Sequence, residues 1–234
     1  MTETYFLGGY FLVESSPCKS WMNNSLIPQK FYSLSTCICS HHPDLSILTW
    51  VNDSEDREQY RRKLKLTIEE FKLLQGQADK WFEQNRYGWG GVFLDLNLVR
   101  EFATDYLTNI PNIKLLAIVT TAKYRDLYLQ EELSSNNFQE GVCNALRSNQ
   151  TIDINQDCLG YEILGNDYGG FHSFVCNSLE TEFAHELNIK FNQHGLIDQY
   201  DQAIQGSDYA NQPDLGTEPV LWMPWAIIEL AIQG

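Results

Sequence analysis

The stretch IKLLAIVTT, residues 113–121, most constrains what this chain can become. Its apolar residues run without alternation and include β-branched side chains, the pattern of a strand buried on both faces. Such a strand needs a packed layer on either side, so the rest of the chain must provide them. TYFLGGYFLVES (4–15) reads as a second strand, with Gly8-Gly9 marking a bulge or a close backbone approach. KFYSLSTCICS (30–40) alternates in hydrophobicity and predicts a strand. HHPD then turns the chain into LSILTWV (45–51), making a hairpin.

The helices announce themselves by their starts. Thr67 and Glu70 form a capping box, with Leu66 and Phe71 at staple positions. Ile68, Phe71, Leu74, Ala78, Trp81 and Phe82 then share one helical face. The charged NDSEDREQYRRKL before them reads as a surface connection or a short helix. Further helices are predicted over 97–110, 122–133, 137–148 and 196–210. RYGWGG (86–91) is a glycine-rich break. TIDINQD and CLGYEILG read as short strands, and Asn177 with Glu180 as another helix cap. Pro224 falls within VLWMPWAIIELAI, which predicts that this segment is not one uninterrupted central strand.

The order of elements is too irregular for a doubly wound sheet. It predicts an α+β fold, a mixed or mainly antiparallel sheet packed with several amphipathic helices in a single compact domain. At 234 residues the chain can bury a large core without staples, and the one candidate subdivision lies near residue 148. There the charge changes. Residues 1–147 hold 15 Lys+Arg against 18 Asp+Glu, whereas residues 148–234 hold 13 acids and a single base, Lys190. That field repels nucleic acid and anionic membranes and attracts cationic partners. No run approaches the length of a membrane span, and six cysteines form no disulfide framework, which points to a reduced, cytoplasmic protein with mostly packed thiols.

Metal motifs are fragmentary. Cys37, Cys39 and His41 alternate as zinc ligands could, but lack the usual spacing and a fourth ligand. Glu182 and His185 form one Glu-x-x-His pair where di-iron bundles need two. Asp153, Asn155 and Asp157 start like a calcium loop, but its glycine comes late and its closing glutamate is absent. No phosphate loop or nucleophile elbow occurs, so no metal or cofactor is assigned.

The richest stretch is YEILGNDYGGFHSFVCNSLETEF, residues 161–183. Asn166, Asp167, Gly169 and Gly170 have turn chemistry and predict a hairpin between CLGYEIL and FHSFVCN. A turn does not require Tyr168, Phe171 and His172. Aromatics among carboxylates suit protein contact, so Asp167, Tyr168, Phe171, His172, Glu162, Glu182 and Glu186 form the candidate partner-binding set. The leading expectation is a non-enzymatic acidic binding protein, an inhibitor or immunity-type antagonist of a basic protein such as a nuclease toxin. The first alternative is a small hydrolase-like enzyme using Asp167, His172, Cys176 and Glu180. The second is an assembly protein with LWMPWAIIEL as its contact.

Overall fold

The computed structural model describes residues 3–15, 19–22, 25–29, 31–44, 48, 54–135, 140–154, 158–167 and 170–233. The chain folds into a compact α+β architecture built on one eight-stranded antiparallel sheet. The strands are β1 (Tyr5–Glu14), β2 (Ser40–His42), β3 (Tyr87–Gly88), β4 (Val92–Phe93), β5 (Ile113–Thr121), β6 (Cys158–Asp167), β7 (Gly170–Ser173) and β8 (Met223–Leu230). Their order is β3-β4-β1-β5-β8-β6-β7, with β2 also on β1.

The apolar run at 113–121 is β5, and it lies between β1 and β8 with Leu115–Thr121 buried. The glycine bulge is present: the β1–β5 register shifts between Leu7 and Gly9, and Gly9 takes φ 131°. A second shift, between Cys158 and Gly160 on β6, places Gly160 at φ 135°. Bulges increase local twist, and here two of them bend one sheet. Three strands separate β1 from β7, about 19 Å at the usual strand spacing if the sheet were flat. Yet the Phe11 and Phe171 rings lie 5.9 Å apart, and Phe171 meets Trp225 at the same separation. The sheet therefore curls until its two ends approach, β7 coming against the single 3₁₀ turn Trp89–Gly91 between β3 and β4.

Seven α-helices are described: α1 (Ser54–Lys63), α2 (Ile68–Glu83), α3 (Leu96–Tyr106), α4 (Ala122–Ser135), α5 (Glu140–Arg147), α6 (Glu180–His185) and α7 (Tyr200–Ala210). Both halves of the Thr67–Glu70 capping box are made, and Phe71, Leu74, Ala78 and Trp81 are buried. Ile68 is the exception in that stripe: at the first turn it points outward, 56% exposed. Helix α3 starts on Asp95, whose carboxylate accepts from the amides of Asn97 and Leu98. Helix α7 packs on β6 and β8, with Gly206 against Ile163 and the Ser207 hydroxyl donating to the Trp222 carbonyl at 2.7 Å. On the opposite, concave face Tyr128 of α4 packs on Trp225.

Three local expectations are overturned. Residues 31–39 are an irregular loop and turn, not a strand. Ser33 and Ser35 turn their hydroxyls onto nearby amides; apart from one isolated parallel bridge from Ser35 to Phe171, the pairing is that of Ser40–His42 with β1. The proposed partner strand at 45–51 lies, apart from Leu48, outside the described residues. Asn177 caps no helix: it ends a 3₁₀ turn that Ser173 caps, and α6 begins after Leu179 without a side-chain cap. The third is Pro224, which sits inside β8, a central strand. Its carbonyl accepts from Thr120 Oγ1, so its missing N–H also faces β5. The β5 ladder has already ended there, at Val119↔Ala226.

Candidate functional site

Side chains alternate across β6, and Glu162 stands opposite Trp225 of β8, which directs both into the concave face. Glu162 is 0% exposed. Residues 31–35 close over it: Ser33 Oγ donates to Oε1 at 2.5 Å and the Leu34 amide to Oε2 at 3.1 Å, with the Ser173 side chain also within hydrogen-bonding reach. Burial pushes this carboxyl up to about 7, against the pull of those donors. Phe171 is buried too, wedged between Phe11 and Trp225. Neither residue can touch a partner at the surface, a correction to the candidate set. Their role is to hold the 31–39 loop on the β6–β7 hairpin.

The hairpin itself forms as expected, pairing Gly165 with His172 and Asp167 with Gly170. Tyr168, Gly169 and the Asp167 side chain lie outside the described residues. His172 is half-buried, with Nδ1 3.4 Å from Glu218 Oε1, an ion pair when the imidazole is protonated. Sequence reading did not connect these two, because Glu218 comes from the loop ahead of β8.

The residues of the enzyme alternative have separate attachments. Cys176 Sγ contacts Ser35 Oγ at 3.1 Å, and burial pushes its thiol up to about 11, which keeps it mainly protonated at neutral pH and slow as a hydrolytic nucleophile. His172 faces Glu218, and Glu180 is buried at 2% exposure in α6. Two open clefts, of about 430 and 610 Å³, are lined by Tyr10, Arg86 and Asp95 and by Tyr5, Ile152 and Asp153 respectively; neither is lined by those four residues. Among the described residues no group of three or more His, Cys, Asp or Glu could hold a metal. Cys37 is exposed while Cys39 and His41 are buried, and His41 Nδ1 donates to the Gly90 carbonyl. Asn155 and Asp157 fall outside the described residues.

The acidic surface survives. Glu182 lies on α6 and Glu186, four residues on, caps its C-terminal end and is exposed. Tyr209 of α7 donates to Glu186 Oε2 at 3.2 Å, joining the two helices' outer faces. Asp201 and Asp208, seven residues apart on α7, are also exposed, as are Asp198 and Asp214. None of these six carboxylates has a lysine or arginine within salt-bridge distance among the described residues. Several basic side chains of the first 147 residues pair within that half: Arg61 and Arg62 with Glu58, Lys63 with Glu14, Arg86 with Asp95 and Arg125 with Asp126. Lys114 with Glu229 bridges the two halves.

No protein-family model, no curated protein and no solved structure matches this chain. No helix among the described residues is long and apolar enough to cross a membrane.

Proposed function

We propose that this is an acidic binding protein whose α6–α7 face, with His172 and Glu218 nearby in sequence to its elements, captures a basic protein. An inhibitor or immunity-type antagonist of a cationic protein, such as a nuclease toxin, is the specific form we favour. The supporting observation is that, among the described residues, Glu182, Glu186, Asp198, Asp201, Asp208 and Asp214 have no lysine or arginine within salt-bridge distance. Uncompensated carboxylates lower the barrier to encounter with a positive surface, and the aromatic ring of Tyr209 among them offers contact area.

The test is capture from cell extract at low and high salt, followed by association kinetics with the captured protein. Glu182→Lys combined with Glu186→Lys is expected to slow association roughly tenfold or more at low salt while dissociation changes less. Binding that is indifferent to salt, or unaffected by these reversals, would sink the proposal.

A further inference from the structure

Around Glu162 the loop over residues 31–39 also brings two thiols together. Cys37 is exposed on the turn over residues 36–38, and Cys176 is half-buried in the 3₁₀ turn Phe174–Asn177 that follows β7. Ser35 lies between them. Its Oγ accepts from the Cys37 amide at 3.3 Å and contacts Cys176 Sγ at 3.1 Å. The Cys176 sulfur thus lies within two hydrogen-bond lengths of the Cys37 amide nitrogen, and the two thiols are near enough to feel each other electrostatically. A parallel bridge between Ser35 and Phe171 also ties the loop to β7.

We infer that Cys37 and Cys176 are a modification site at which a peroxide forms an intramolecular disulfide. The Cys37 thiolate attacks the peroxide oxygen, forming an S–O bond and breaking O–O; the departing hydroxide carries off the thiol proton as water. The Cys176 sulfur then attacks the Cys37 sulfenic acid, forming S–S and breaking S–O, and the second hydroxide leaves as water with the Cys176 proton. Two electrons pass from the thiols to the peroxide, and a dithiol reductant reverses the bond. Exposure makes Cys37 the first to react. Ser35 is a positioning residue: its oxygen accepts from the Cys37 amide and its hydroxyl is in hydrogen-bonding contact with Cys176 Sγ. Burial holds Cys176 protonated at neutral pH, so closure of the bond quickens as pH rises. The bond would staple the 31–39 loop to the hairpin that Glu162 already holds.

The experiment treats the full reduced chain with stoichiometric hydrogen peroxide, alkylates remaining thiols and maps peptides without reduction. A peptide pair joining Cys37 to Cys176, absent in Cys37→Ser and retained in Cys39→Ser, is the expected result. Cys37 found as sulfinic acid with Cys176 still alkylated would overturn it. So would linkage of Cys37 to Cys39 or to a second molecule, or no loss of alkylatable thiols. Cys37 is on the surface, so its serine variant folds, and the wild-type map alone decides the question.

Discussion

A carboxylate with no exposed surface on a central strand is costly unless its oxygens are satisfied, and Glu162 accepts from Ser33 and Leu34. Glu162→Ala strands the Leu34 amide in the interior and is expected to cost about 2 kcal/mol or more by denaturant titration. Glu162→Gln can keep its carbonyl on Leu34 and turn its amide to Ser33, so its cost should be smaller. The two backgrounds also separate by pH. A carboxyl whose folded value is raised to about 7 gives the native state the extra proton, so wild-type stability falls as pH rises between roughly 4.5 and 7. Glutamine has no such titration, and the variant should gain on wild type by up to about 3 kcal/mol across that interval. A constant difference from pH 5 to 8 would refute the assignment. Nothing local in YEIL reveals this burial, because the covering serine lies 129 residues away in sequence. A separation of 141 residues likewise hid Ser35 from Cys176.

Elements whose signals are local were readable. The capping box of α2, the glycine bulge of β1, the β5 run and the β6–β7 hairpin each depend on residues a few positions apart. Thr67→Ala should therefore cost about 1 kcal/mol, measured by thermal or chemical unfolding. Gly9→Ala should cost at least ~2 kcal/mol, because a Cβ there would meet Val92 Cγ2 at 2.1 Å and φ 131° suits glycine. Near-wild-type stability of Gly9→Ala would mean that the bulge is not tightly packed. The misread elements failed where alternation was accidental. Residues 31–39 alternate in hydrophobicity, yet their serine hydroxyls compete for the backbone and bend it into turns. Pro224 was weighed as a breaker without knowing that the neighbouring ladder stops before reaching it.

At the scale of the molecule, the acidic surface and the buried groups set opposite limits on pH. The hydrogen bond from His42, with Lys63 beside it, holds the Glu14 carboxyl below its ordinary value. Its folded value is depressed, so its contribution is present above about pH 4.5 and lost as pH falls. Glu162 acts in the reverse sense above that point, and the net charge of −15 adds self-repulsion as the carboxylates ionise. Stability is expected to peak near pH 5 rather than at 7, which denaturant midpoints from pH 3 to 9 would check. Charge asymmetry was visible in the sequence, but the surface that it forms was not: Glu162 and Glu180 are buried, and α6 with its C-cap and α7 gather acids whose positions in the chain say nothing of adjacency.

The place of β8 carries a consequence for how the chain is made. It is wedged between β5 and β6, so every residue from 3 to 222 can have been synthesised while the sheet is still two separate pieces. Until residues 223–230 arrive, β5 and β6 each present an open row of amides and carbonyls to the crowded space outside the ribosome. The nascent chain is therefore at its most adhesive while β5 and β6 are out and β8 is not. A slow codon or a stall between β6 and β8 would prolong that exposure and lower the yield of folded chain.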